Sequence, residues 1–199
     1  DMSWQYKKRI YSILERVKKC EYGYDLPAFI PVYGDKGIIT GWLKPLTEND
    51  VTESNARRLA GWRRDNSFAF PSQFRVTVPG TKKWLKNQVI DNPERILFYI
   101  YSVTNKRVPI GHLGLASFDF RRNSCEIDNV VRGEKLCHKG LMAMGVRALI
   151  KWVQTYLNPK NIYLRVMKDN EHAIKFYRQL GFVTLSADKL NLIKMYYEK

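Results

Sequence analysis

Residues 125–157 read CEIDNVVRGEKLCHKGLMAMGVRALIKWVQTYL, and how this stretch divides decides the fold. CEIDNVV (125–131) has the make-up of a strand, whereas AMGVRALIKWVQTYL (143–157) spaces its apolar residues as a helix does. Between them EKLCHKGLM (134–142) holds a lone glycine beside Lys139, with no proline and no acidic N-cap. A helix start leaves its first N–H groups unpaired and carries partial positive charge. A strand, loop and helix in this order therefore suit an anion, phosphate first.

No named phosphate motif explains the loop. A P-loop needs lysine after its last glycine, but Lys139 precedes Gly140, and the further glycines of a dinucleotide fingerprint are missing. What the loop offers is main chain, with Lys135, His138 and Lys139 adding positive charge. Taken alone, a solvated basic loop explains it equally well.

Upstream, SWQYKKRIYSILERVKKC spaces Tyr6, Ile10, Ile13, Leu14 and Val17 as the apolar stripe of a basic amphipathic helix. Its expected partner is the rest of the fold, a neighbouring domain or a second subunit, as in a homodimer. Residues 20–38, aperiodic and rich in Gly, Pro and aromatics, read as an ordered linker. The division expected is 1–37, helix and linker, and 38–199, the core domain. Within the latter, IITGWLKPL predicts a strand, residues 47–66 an N-capped helix, 67–80 a loop and 81–90 a short helix. Three strands follow (RILFYIYSV, VPIGHLGLASFDF, SCEIDNVV), with turns at TNKR and RRNS that favour antiparallel pairing. After helix 141–157 come strand NIYLRVM, helix 170–180 ending at Gly181, and strands at FVTL and NLIKMYY. The fold class is α/β (α+β): a mixed, mostly antiparallel central sheet flanked by helices, with an N-terminal helical extension.

Composition sets bounds. With 34 Lys and Arg against 19 Asp and Glu, the formal charge of +15 draws polyanions: nucleic acid, anionic membrane or a phosphorylated small molecule. The basic residues are spread along the chain and no recognition-helix, zinc-finger or RNP motif occurs, so nucleic acid is not the expected partner. Cys20, Cys125 and Cys137 fit neither a disulfide framework nor a metal site, which favours a reducing, cytoplasmic setting without metal. No apolar run approaches the roughly 18 residues of a membrane span, and no signal-peptide pattern is read. The sequence begins at Asp1, which reads as an excised or processed start.

Three segments carry a resemblance. Cys137-His-Lys-Gly140-Leu141-Met142, entered from a strand and followed by a helix, lies where the GCN5-related N-acetyltransferase (GNAT) superfamily has Q/R-x-x-G-x-G/A, with Cys137 and Met142 departing from it. Cys125-Glu126-Ile127 is similar to the A-E-I of histone-type members. Asn170-Glu-His-Ala173-Ile-Lys-Phe176-Tyr177-Arg-Gln-Leu-Gly181-Phe182 resembles the family's N-x-x-A-x-x-x-Y-x-x-x-G-F segment. GWLKPLTEND, Trp62 to Asn66 and TKKWL resemble the subgroup that acetylates amines on nucleotide-linked sugars.

The resemblance implies an acetyl-CoA-dependent N-acetyltransferase, an acyltransferase acting directly on a primary amine of a small molecule, with no metal. The amine would be that of a nucleotide-linked amino sugar, which Arg57, Arg58, Arg63 and Arg64 could meet unless they form a solvated face. Cys137, His138, Lys139, Gly140, Leu141 and Met142 would hold the diphosphate. Asn129, Val130 and Val131 would pair with pantetheine, flanked by Asn170, Ala173 and Tyr177. Thioester aminolysis needs a base for the amine, a donor for the carbonyl oxygen and an acid for the leaving thiolate. Glu126 and Asp128 share a strand face and either could be the base, Glu126 being favoured by analogy. Simple pairing with Arg or Lys is their alternative. Tyr177 would be the acid, or a core tyrosine with a satisfied hydroxyl, and main chain near Val131 would supply the donor. His112 reads as a packed strand histidine, His138 as a residue near phosphate and His172 as an exposed helix position. Acetylation of a protein N-terminus or lysine is the rival activity, and a non-catalytic acyl-CoA-binding or nucleic-acid-binding module the rival class.

Overall fold

The computed structural model describes residues 2–135, 139–187 and 191–198. Helix α1 (Met2–Lys18) leads to β1 (Ile30–Tyr33) and β2 (Ile39–Pro45), then to α2 (Glu53–Asp65) and α3 (Val78–Trp84), which widens into a π turn over Leu85–Ile90. Strands β3 (Ile96–Ser102), β4 (Gly111–Asp119) and β5 (Ser124–Arg132) follow, then α4 (Leu141–Trp152) with its own π turn, Val153–Leu157. Strand β6 (Asn161–Met167), α5 (Glu171–Gln179), β7 (Phe182–Ala187) and β8 (Leu192–Tyr197) complete the chain. The described residues form one eight-stranded sheet in the order β1-β2-β3-β4-β5-β6-β8-β7. Every neighbouring pair is antiparallel except β5 and β6.

Strand β3, ILFYIYS, has no polar alternate because both its faces are covered. Ile96, Phe98 and Ile100 join a core with Ile10, Leu14 and Val17 of α1, Val146, Leu149 and Ile150 of α4, and Ile174 and Tyr177 of α5. Leu97 and Tyr99 join a smaller core with Leu59 and Trp62 of α2 and Leu85 and Val89 of the turn after α3. The result is helix, sheet and helix in layers.

Three expectations are corrected. Residues 20–38 are more than a linker: β1 lies within them and pairs with β2, Ile30 opposite Leu43, adding an edge strand to the sheet. The helix expected at 47–66 starts at Glu53, where Thr52 accepts the Asn55 N–H; Thr47 and Asp50 cap a separate turn. Part of the loop expected at 67–80 is helix, because Thr77 caps α3 and Pro79 sits in its first turn, where a missing N–H costs nothing. Of the partners expected for the stripe of α1, the structure shows the rest of the fold: burying Ile10, Leu14 and Val17 contributes about 1.5–3 kcal/mol each.

Polar bonds fix α1 at its C-terminal end and at its middle. The Lys18 ammonium, 8% exposed, donates to the carbonyls of Val89 (3.2 Å), Asn92 (2.7 Å) and Arg95 (3.0 Å). Arg9 donates to the Tyr156 carbonyl at 2.7 Å, in the π turn that follows α4. No described helix is long and apolar enough to cross a membrane.

Candidate active site

The site begins where the sheet comes apart. Strand β5 meets β6 only through Ser124–Glu126 against Asn161–Tyr163; beyond that β6 continues on β8 and β5 has no described partner on that side. At the same level β5 bulges. Between the pairs His112/Val131 and Gly114/Asp128, β4 advances two residues and β5 three. Asn129 absorbs the extra residue in a left-handed conformation (φ 53°), which asparagine tolerates better than most. The bulge resets the alternation: Val131 joins the α2-side core, although its parity is opposite to that of Asp128.

The split opens into a cleft of about 900 Å³, within the usual size of a ligand pocket. On β5, Glu126, Asp128, Asn129, Val130 and Val131 line it; Lys139, Gly140 and Met142 line it at the start of α4, and Asn170, Ala173 and Tyr177 on α5. Leu141 does not, since its side chain is 1% exposed in the core and only its main chain is near the helix start. Cys137 and His138 lie outside the described residues. Gly140 precedes α4 with φ 85°, a left-handed conformation in which a β-carbon is strained. Among the described residues no side chain caps the helix there. Lys135 and Lys139 line the cleft beside it. Cationic side chains, uncapped N–H groups and an unladdered strand suit a long ligand with a diphosphate at one end.

The two carboxylates are each held by an arginine. Glu126, its side chain 14% exposed, accepts from Arg165 Nε at 3.0 Å through Oε2. Asp128 Oδ2 accepts from Arg95 Nη2 at 2.7 Å and from Asn129 Nδ2 at 3.1 Å. The second oxygen of each has no donor among the described residues, so the ion pairs orient the carboxylates without occupying them. Tyr177 is 9% exposed and packs edge-on against Phe176 and Phe182. Burial pushes its phenol well above the usual range and the Asp128 charge adds to this, so the hydroxyl keeps its proton at neutral pH. The Asn170 side chain caps α5, its Oδ1 accepting from the Ala173 N–H at 3.1 Å.

Of the histidines, His112 is a packed strand residue whose Nδ1 lies 2.6 Å from the Asn129 carbonyl; burial pulls its pKa from 6.5 down to about 4. His172 is exposed on α5 and reaches the cleft mouth. Burial also raises the Cys125 thiol to about 12, which makes it unreactive. Among the described residues no group of three or more His, Cys, Asp and Glu could hold a metal ion.

Sequence reasoning missed Arg95, Arg165 and the segment after α2, from which Asn66, Phe68, Phe70 and Pro71 line the cleft. The arginines carry no motif. Arg165 meets Glu126 because parallel register puts Tyr163 beside Glu126, with Arg165 one side-chain step further along. The four arginines of α2 do not line the cleft. Arg57 pairs with Glu53, Arg58 with Asn55, Arg63 donates to the Ser72 carbonyl over the Phe70 ring, and Arg64 to the Val76 carbonyl.

A mostly antiparallel sheet that splits beside a bulge, with a helix start and a buried tyrosine at the split, defines the GNAT class of fold. The chain belongs to the acetyltransferase (GNAT) family, whose model matches residues 59–182. Members generally use acetyl-CoA. Among solved structures the chain is similar to apo FdhC, a nucleotide-linked sugar GNAT (19% identity, 79% of this chain and 86% of that one, TM-score 0.63). It is similar to mutant forms of the spermidine/spermine N-acetyltransferase SpeG from Vibrio cholerae (17%, 79% and 92%, TM-score 0.61). It is also similar to RimL, a ribosomal L7/L12 alpha-N-protein acetyltransferase (15%, 88% and 96%, TM-score 0.65). At such identities the likeness shows the fold. No curated protein sequence gives a significant match.

Proposed function

We propose that the chain is an acetyl-CoA-dependent N-acetyltransferase whose acceptor is the primary amine of a nucleotide-linked amino sugar. One observation carries the reading: the split beside β5 has two oriented carboxylates on one wall and a protonated, buried tyrosine on the other. Acetyl-CoA would lie along the split, its diphosphate toward the start of α4 with Lys135 and Lys139. Pantetheine would run along Asn129–Val131, past Asn170 and Ala173. Glu126, directly or through water, takes the proton of the attacking amine, and Asp128 holds the neighbouring position. A main-chain N–H of the bulge steadies the carbonyl oxygen as charge gathers on it, and Tyr177 gives its proton to the departing sulfur.

The acceptor reading draws on the cleft's rim. Beside Lys135 and Lys139, which would face the coenzyme, Arg132 and Arg165 add positive charge to it, and Phe68 and Phe70 face it from the segment after α2. Cations suit the phosphates of a sugar nucleotide and rings suit its base, whereas a polyamine would be repelled.

A thiol-release assay over a panel of amines tests this. Expected is turnover with nucleotide-linked amino sugars well above that with polyamines, amino acids or peptides. Preference for a peptide N-terminus would replace the acceptor and keep the chemistry; absence of acetyl-CoA binding by calorimetry would overturn both.

A further inference from the structure

We infer that His112 is a positioning residue: wedged under Trp62, its imidazole holds the Asn129–Val130 peptide of the bulge and so fixes the direction of the Val130 N–H. The inference rests on the reading of that bulge as the seat of the acyl group. Neither Asn129 nor Val130 has a register partner in β4 or β6 among the described residues. A peptide outside the ladder needs another partner to keep one orientation. His112 supplies it, with Nδ1 2.6 Å from the Asn129 carbonyl. A carbonyl only accepts, so Nδ1 carries the proton and donates. In a trans peptide the C=O and the following N–H point opposite ways, so fixing the carbonyl fixes the amide.

The imidazole is itself held. It is 5% exposed, with its ring 5.9 Å from that of Trp62. Trp62 lies against Gly133, where an added β-carbon would come within 1.9 Å of the indole. Gly133, just past the end of β5, is thus needed for close approach. Its N–H is tied to the Ile110 carbonyl at 2.8 Å. Trp62 from α2, His112 from β4 and the bulge of β5 form one stack.

The test compares His112→Asn, whose side-chain amide can donate where Nδ1 does, with His112→Leu, of similar shape but unable to donate. Expected for Leu are faster hydrogen exchange at the amides of residues 129–131 and a fall in kcat of up to about a hundredfold, the scale of a misplaced reacting group. Asn should restore most of both. Equal behaviour of the two would make His112 a packing residue only and overturn the inference. Should neither variant fold, the wild-type imidazole ¹⁵N spectrum decides: a neutral ring protonated at Nδ1 is expected, and protonation at Nε2 would overturn it. If the wild type acetylates no amine the functional reading fails, while exchange and spectrum still report on the bulge.

Discussion

Strand β5 is laddered on β6 over Ser124–Glu126 and on β4 over Glu126–Asp128; at Asn129 and Val130 it leaves the β4 register with no described strand on its other side. The first half offers side chains, two carboxylates each gripped by an arginine. The second offers main chain, gripped by a histidine. In the first the residue type sets the chemistry and the ladder aims it. In the second the chemistry belongs to any peptide, and what matters is the group that orients it.

The comparison breaks most visibly if the first half is disabled. Glu126→Gln is expected to lower kcat by about 10²–10⁴, the range for a lost general base. Acetyl-CoA affinity by calorimetry should not change, since the proposed seat of the coenzyme is the second half and the start of α4. Asp128→Asn should lower kcat less, because Asp128 Oδ2 is already shared by Arg95 and Asn129. The opposite ranking would move the base to Asp128; two unchanged rates would remove acid–base chemistry from this strand.

Tyr177→Phe comes next, with an expected fall in kcat of about 10² and unchanged acetyl-CoA affinity. If the proposed acid acts on the leaving thiolate, a substrate with a better leaving thiol should shrink the deficit. A deficit independent of the thiol would return Tyr177 to the core, where it also packs.

The same division explains what could be read from the sequence. Period gave β6 at Asn161–Met167 and brought α5 within a residue at each end. That Glu126 and Asp128 share the cleft wall was legible, because alternation alone puts them on one face. The bulge was not legible, since nothing in IDNVV marks the residue where the register slips. Without that slip Val131 would face away from Asp128. Arg95 and Arg165 were invisible for a related reason: each meets its carboxylate across strands, and sequence does not print register. Thr77 and Pro79, inside the stretch 67–80 expected as loop, start α3.

A smaller effect is expected at the support of the first half. Lys18→Met removes an ammonium that serves three carbonyls, one of them the carbonyl of Arg95, whose guanidinium holds Asp128. Burial pulls the Lys18 pKa from 10.5 to about 8, yet the three acceptors need its protons. Leaving them unserved should lower stability by about 1–3 kcal/mol in denaturant unfolding. The kcat per folded molecule should hold if Arg95 and Asp128 keep each other in place, and fall if the main chain at Arg95 shifts.

The smallest effect concerns the second half and is read by pH. Burial is the main cause of the depressed His112 pKa; the Asn129 carbonyl and the Asp128 charge oppose it without prevailing. The unfolded imidazole takes up a proton from pH 6.5 downward and the folded one only near pH 4. Its contribution to stability is therefore present above 6.5 and lost on acidification, at about 1.4 kcal/mol per pH unit once fully below 6.5. Between pH 6.5 and 5.5 the wild type should lose about 1 kcal/mol more than His112→Asn. Taking the difference cancels the carboxylates common to both proteins. Equal slopes would mean that the folded imidazole accepts its proton in place, so the bulge could loosen without unfolding. The expected slopes mean instead that the folded chain keeps the proton off His112 until the pH nears 4, so that above it the bulge is held by a neutral ring.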